Sequence, residues 1–329
     1  MLHKFDAQSW LVTGAVMQLD VVIPTYNRQD LLSRTLDSLL AARVPPGLAV
    51  SVTVVDNNSK DNTRGIVEGY MSQFAGRLNY VFESRQGRTS ALNAGIAATK
   101  GDLIGMIDDD EEVAAGWYEC VHAAFSAGDV DFIGGPCVPR WGIEPPSWVP
   151  KDCSGVIGWI DSGAEIVPYN NEHPGMLMGG NAVLTRAIFE KIGPYSPALG
   201  RTAKRLLAGE DRDMYDRLLR VGARGFYRPD LIIYHYIPPE RLTKKYYRQW
   251  CFWNNASLGL LDRECPTPVA YLGGVPRWMI GHAARATLKV VKGALGKGRN
   301  PAENFASELA LWDLAGFFYG KHFYKPLSR

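Results

Sequence analysis

The chain lacks most of the signatures that place a protein quickly. It has no Gly-x-x-x-x-Gly-Lys-[Ser/Thr] loop, and no Gly-x-Gly-x-x-Gly follows an apolar strand. This weighs against P-loop kinases, ATPases and dinucleotide-dependent dehydrogenases. No run of residues is long and apolar enough to span a bilayer. Charge of one sign is missing too: the net formal charge is +2, which gives no general argument for nucleic acid as a partner. The five cysteines (Cys120, Cys137, Cys153, Cys251 and Cys265) are odd in number, and no pair has zinc-ligand spacing. Such a pattern is expected of reduced thiols in a cytosolic chain. A convincing signal peptide is absent, because the apolar stretch near Leu11–Val16 is short.

What is present describes an ordinary globular protein. The 329 residues are 46% hydrophobic and 21% charged, enough for one large domain or two smaller ones. Residues 1–17 read as an N-terminal extension. From Leu19 the pattern alternates between strand and helix. Leu19–Pro24 reads as a strand, followed by a helix capped by Asn27 with Asp30 three residues on. Leu31, Leu32, Leu36, Leu39 and Leu40 recur in it at helical spacing. Further strands are expected at 50–55, 78–83 and 103–107, with helices at 63–74, 89–99 and 116–127. This order predicts an α/β fold with a mostly parallel, doubly wound sheet. Residues 136–178, rich in proline, glycine and tryptophan, read as a long loop region. A strand at 179–185, helices at 187–192 and 210–220, and a strand at 231–236 follow. The expected division is 18–135 and 136–240 as the two halves of the sheet domain, with 241–329 as a helical C-terminal region.

The most informative feature is Asp108-Asp109-Asp110, directly after the apolar run Leu103–Ile107. Open α/β sheets bind ligands at the carboxyl ends of their strands, and adjacent carboxylates repel unless a cation or donors relieve them. A divalent metal carrying a phosphorylated ligand satisfies both conditions; an acidic surface turn is the alternative. Strand alternation turns Asp109 away from Asp108 and Asp110. Asp56, at the end of the second strand, suits the imide N–H of a pyrimidine or the capping of its own Asp-Asn-Asn-Ser turn. Thr25 and Tyr26 can flank such a base. Arg88, near a helix start, suits a diphosphate or solvent. Glu210 and Asp211 suit the amino end of a helix. His235 ends an apolar strand, where it reads equally as a ligand or as a satisfied buried histidine.

Taken in order, Val21–Arg28, Val54–Ser59, Arg88–Gly95, Ile107–Asp110, Gly179-Gly180-Asn181 and Gly209-Glu210-Asp211 resemble the motifs of family 2 glycosyltransferases of the GT-A fold. The resemblance implies an inverting, metal-dependent transferase that moves one sugar from a nucleoside-diphosphate donor, with UDP favoured. The acceptor would be a hydroxyl of a glycan or lipid-linked molecule, in cell-surface polysaccharide or glycoconjugate synthesis. It also implies roles for residues. Pro24, Thr25, Tyr26, Arg28, Asp56, Asn58, Arg88, Asn93, Asp108 and Asp109 would hold the donor. Asp108, Asp110 and His235 would hold Mn2+ or Mg2+. Asp211 would be the base that takes the acceptor proton, with Glu210 beside it. Asn93 and Gly95 are as readily structural. Processive members carry Gln-x-x-Arg-Trp and membrane helices; the nearest match here, Tyr246-Tyr247-Arg248-Gln249-Trp250, lacks that pattern, so a single addition is expected. A sugar-nucleotide pyrophosphorylase and a non-catalytic sugar-nucleotide-binding protein are the competing readings.

Residues 266–300 lie outside the resemblance. Acidic residues are absent from 265 to 302, while Arg277, Arg285, Lys289, Lys292, Lys297 and Arg299 alternate with apolar residues. Basic amphipathic helices of this kind rest on anionic membrane surfaces or pack on a domain with a solvated basic face. The first reading makes the protein peripheral on the inner face of the cell membrane, the second simply cytoplasmic.

Overall fold

The computed structural model describes residues 16–150, 155–170, 177–197, 199, 209–294 and 300–325. Most of the expected N-terminal extension and Cys153 fall outside them. The chain forms two compact units. The first takes in the chain to Val138, Ile160–Tyr195 and Asp211–His235. The second takes in Pro139–Trp159, Ser196–Glu210 and Tyr236–Arg329.

The first unit is built on an eight-stranded sheet. Strands β1 (Met17–Thr25), β2 (Leu48–Asp56), β3 (Leu78–Phe82) and β4 (Leu103–Met106) are parallel, in the order β3-β2-β1-β4. Side chains alternate across β1. Leu19, Val21 and Ile23 pack with Leu32, Leu36 and Leu39 of helix α1 (Gln29–Ala41) on one face. Val22 packs on the other face with Leu92 and Ile96 of α3 (Arg88–Ala98), as a period of two requires. Helix α2 is Thr63–Tyr70, α4 is Trp117–Ser126 and α5 is Arg186–Ile192. Beyond β4, strand β9 (Ala182–Thr185) runs antiparallel to β4 and to β6 (Phe132–Gly134). The sheet continues through β10 (Gly225–Tyr227) to β8 (Val167–Pro168). The short strands β6 and β10 escaped the sequence reading because three residues carry too little alternation to show a period. Strand β7 is Cys137–Trp141, and β5 (Glu111–Val113) pairs antiparallel with β11 (Ile233–Ile237), with His235 opposite Glu111.

Asn27 does not cap α1. Its φ is 53°, and its side chain accepts from Lys60 N–H at 2.6 Å, while its own N–H donates to Ser59 Oγ at 3.0 Å. The turn after β1 is thereby fastened to the turn after β2.

In the second unit, long helices pack on one another: α7 (Lys244–Glu264), α8 (Arg277–Ala294) and α9 (Pro301–His322). Trp253 of α7 packs with Leu199, Leu260 and Tyr324 and meets Tyr319 of α9 edge-on, so it is a core residue here. Between α7 and α9, Asn255 Nδ2 donates to Asp313 Oδ1 at 2.7 Å. Burial pushes the Asp313 carboxyl up to about 6. Its folded value lies above its ordinary one, so the stabilisation from proton uptake is complete at low pH and is lost as pH rises through about 6. Asp313→Asn keeps the acceptor for Asn255 and removes the buried charge. It is expected to melt above the wild type at pH 8, with the gap closing toward pH 5, in a thermal melt across that range.

Candidate active site

The site grows from the carboxyl ends of β2, β1 and β4. Parallel pairing sets Thr25 opposite Asp56 and Pro24 opposite Val55, and Ile107 N–H continues the ladder to Val22. The acidic triplet follows one residue later. The strand has already ended at Met106, so the aspartates lie in a turn and strand alternation does not govern them. Asp109 therefore does not point away from Asp110. Arg28 Nη1 lies 2.8 Å from Asp109 Oδ1 and 2.9 Å from Asp110 Oδ2. Thr25 Oγ1 donates to Asp109 Oδ2 at 2.8 Å, and Thr35 of α1 donates to the Asp109 carbonyl at 3.1 Å. The turn is thus held from both β1 and α1.

A second cluster lies on the same turn. Arg88, the first residue of α3, donates through Nε to Asp108 Oδ1 at 2.9 Å and through Nη1 to Asp211 Oδ1 at 3.2 Å. Asp211 is the second residue of α6 (Glu210–Arg220). One arginine thereby links the strand-end aspartate to the expected base. Glu111, which sequence reasoning missed, accepts the Asp108 N–H at 2.8 Å and is 2% exposed. Its place directly after three aspartates was the available signal.

Gly179 and Gly180 explain part of the third motif. A Cβ on Gly179 would lie 2.0 Å from Asp211 Oδ1, and one on Gly180 would lie 2.4 Å from Glu111 Oε1. Only glycine lets the backbone lie against both carboxylates. Asn181 is fully buried and anchors the motif: it accepts from Trp117 Nε1 at 3.0 Å and donates to the Leu231 carbonyl at 2.7 Å. Gly180→Ala is expected to cost about 1–3 kcal/mol, the usual price of overpacking, measured as a lower denaturation midpoint.

Electrostatics here are dominated by burial. It pushes the Asp109 carboxyl up to about 6, with Arg28 opposing and Asp110 adding to the rise. Glu111 is held well above the ordinary carboxylate range by burial first, then by Asp108 and Asp110. In turn Asp109 drives the Arg28 pKa above its usual value, with Asp110 adding to the rise. Asp108, Asp109, Asp110 and Asp211 outnumber the guanidinium groups of Arg28 and Arg88 that pair with them, and Glu111 is held toward its neutral form beside them, so the cluster favours added positive charge.

The register of β11 against β5 sets His235 here as well, its Nε2 3.5 Å from Asp110 Oδ2. A hard divalent cation takes carboxylate oxygen, keeps waters and shares substrate phosphates, and imidazole suits manganese better than magnesium. Asp110 and His235 fit that role: they are close enough to share one ion, inside a cluster with surplus negative charge. Among the described residues no three His, Cys, Asp or Glu side chains form a complete cage, so substrate phosphates and water would complete the shell. Asp108 faces Arg88, which sets it in the other cluster.

Asp56 caps its own turn. Its Oδ1 accepts from Ser59 N–H at 2.8 Å, the turn cap, and its Oδ2 accepts from Tyr80 OH at 2.7 Å. Burial and this bond push the Tyr80 phenol up to about 12. Tyr26 and Asn58 lie half-buried beside it, and Asn58 takes a φ of 66°. Asn57 was missed: its amide donates to the carbonyls of Glu83 and Arg85 and accepts from Gly87 N–H at 2.8 Å. It thereby sets the loop that delivers Arg88. Asn93 does not face the site. Its amide makes reciprocal 2.9 Å bonds with the Tyr195 backbone, a structural role. Gly95 is structural too, since a Cβ there would lie 2.5 Å from Val22 Cγ1. Glu210 is buried, and the boundary between the units passes between it and Asp211.

Known proteins share this arrangement of sequence. The pattern of Glycosyl transferase family 2 matches residues 20–193. The chain is 24% identical over 250 residues to the succinoglycan biosynthesis protein ExoM of Rhizobium meliloti, covering 75% of this chain and 76% of that protein. It is 24% identical over 254 residues to the glucosyl-dolichyl phosphate glucuronosyltransferase of Haloferax volcanii, covering 76% and 79%. In fold it resembles the mannosyltransferase PcManGT of Pyrobaculum calidifontis, solved with GDP-Man and Mn2+: the TM-score is 0.55 at 18% identity, covering 96% of this chain and 91% of that one. The chain belongs to glycosyl transferase family 2 and has the GT-A fold; it is a glycosyltransferase, an enzyme that transfers sugar to an acceptor.

Proposed function

We propose that the enzyme is an inverting, metal-dependent transferase that adds one sugar from a nucleoside-diphosphate donor, with uridine as the base best suited to Asp56. The observation that carries this reading is the shared turn. It brings Asp110 to His235 on one side and, through Arg88, Asp108 to Asp211 on the other. Asp110 and His235 would hold Mn2+ or Mg2+, which when bound neutralises charge on the departing diphosphate. Arg28 and Arg88, now occupied by carboxylates, are within the same cluster to meet phosphate oxygens. Asp211 takes the proton of the acceptor hydroxyl as its oxygen attacks the anomeric carbon. The bond from that carbon to the phosphate oxygen breaks, and its electron pair leaves with the nucleoside diphosphate.

The acceptor is a glycan or lipid-linked hydroxyl in cell-surface polysaccharide or glycoconjugate synthesis. The names of the two relatives, one for succinoglycan biosynthesis and one for a dolichyl phosphate substrate, support this class. Donor turnover tests the proposal. Uridine, thymidine and guanosine diphosphate sugars are incubated with the protein and manganese, and release of nucleoside diphosphate is followed. Release from one donor class, abolished by chelation, is expected. Folded protein that releases none of them, or releases them equally well in chelator, contradicts it.

A further inference from the structure

The carboxylate of Asp56 is gripped from two directions. The residue is 4% exposed, and each oxygen receives a donor: Oδ1 the Ser59 N–H at 2.8 Å, Oδ2 the Tyr80 hydroxyl at 2.7 Å. The first bond is local. It lies inside the turn that follows β2, and an aspartate at a turn start commonly makes one like it. The second comes from another strand. The register of β2 against β3 sets Phe82 opposite Asp56 and Tyr80 opposite Val54, so Tyr80 reaches along the sheet to meet the carboxylate at the strand end. Alternate residues share one face, which puts Val54, Asp56 and Tyr80 on the same side. Tyr80 packs there against the core that holds Val54.

Tyr80 is itself held. The Arg64 guanidinium of α2 lies 5.5 Å from the centre of its ring, and Glu68, one turn further on, pins Arg64 at 2.8 Å. Exposed ion pairs and cation–ring contacts of this kind add little to folding stability; their effect is to restrict where the phenol lies. Burial, and then the bond to Asp56, push that phenol up to about 12, so it stays a donor through the neutral range.

Two donors fix the plane of the carboxylate and use one lone pair on each oxygen. The lone pairs that remain point in set directions and can only accept. Uracil presents a ring N–H to such a group. Cytosine presents a bare ring nitrogen at the same position, so two acceptors would face each other at a buried group, where an unmade hydrogen bond is costly. A carboxylate held at Oδ1 alone could turn aside and relieve that clash.

We propose that Tyr80 is a positioning residue for base selection: through Asp56 it locks the acceptor pattern that admits a base with a ring N–H and excludes cytosine. The inference rests on the proposed reading of Asp56 as the contact to the donor's base.

The test is a binding titration of the full chain with UDP and with CDP, in manganese, for the wild type, Tyr80→Phe, Asn79→Ala and Asp56→Ala. Asn79 controls for a loosened sheet edge: its amide donates to Ser51 Oγ at 3.1 Å across the same two strands, nearer the other end of β2. The wild type is expected to favour UDP by at least about tenfold, the worth of one hydrogen bond to a charged group. Tyr80→Phe should lose about that factor for UDP and leave CDP nearly unchanged, while donor turnover at saturation holds. Asn79→Ala should keep the preference. A folded Tyr80→Phe that keeps the preference, or that weakens both nucleotides alike, overturns the proposal, as does loss of the preference in Asn79→Ala. If Asp56→Ala loses the preference in that case, the reading of Asp56 stands without Tyr80. A preference that survives in Asp56→Ala, or a wild type that shows none, removes the base contact itself and this proposal with it.

Discussion

Asp211→Asn lowers sugar transfer by roughly 10²–10⁴-fold, the usual contribution of a positioned general base, and leaves donor affinity nearly unchanged. Asparagine has the same shape, so it fits against Gly179, where added bulk would not. Its amide oxygen still accepts from Arg88 Nη1, which now lies 3.2 Å from the carboxylate. Fold and donor site are therefore preserved, while the lone pair that would take the acceptor proton is gone. The signature is a fall in kcat with the donor Kd from a binding titration within a few-fold of wild type. Near-normal kcat in this variant would remove Asp211 from the role of base. A drop in donor affinity without a drop in kcat would make it a binding residue.

Asp110→Asn should have the second large effect, of a different kind. The loss of a carboxylate that would hold the ion costs about 100-fold or more in metal-dependent turnover, on the scale seen when even outer supporting groups are removed. Without metal, however, the variant should melt at or above the wild type. Asp110 adds to the rise in the pKa values of both Asp109 and Glu111, so neutralising it relieves a crowded, buried cluster. Arg28 keeps Asp109 at 2.8 Å as its partner. A purely structural Asp110 would give the opposite result, a lower melting temperature with turnover following stability. Thermal melts in chelator beside initial rates over a manganese series separate the two.

Much of the first unit was legible because its signals are long. Strands such as β1 and β2 carry buried apolar runs, and α1 carries five leucines at helical spacing. Successive strand ends then have to meet at one edge, which places Thr25, Asp56 and the aspartates there from the sequence alone. Legibility failed where the cause is a partner distant in sequence. Arg28 bridges aspartates about eighty residues away. Arg88 joins Asp108 to Asp211. Asn93 carried a motif position but serves Tyr195, a contact no local pattern reveals. The turn of Asp108–Asp110 was misread for a simpler reason: the strand ended one residue before the apolar run did. Glu111 and Asn57 were overlooked because each stood beside residues with stronger motif claims.

The most direct test of the site is a thermal-shift titration of the intact protein with UDP, dTDP, GDP and CMP, each with and without manganese. A ligand that binds only the folded state raises the melting temperature by mass action. The turn that joins Asp110 to His235 and Asp108 to Arg88 predicts a rise with one nucleoside diphosphate, UDP foremost, that requires the metal and disappears in Asp110→Asn. No rise with any of them at millimolar ligand, or a rise that is the same in chelator and in Asp110→Asn, would contradict a metal-held donor site at this turn.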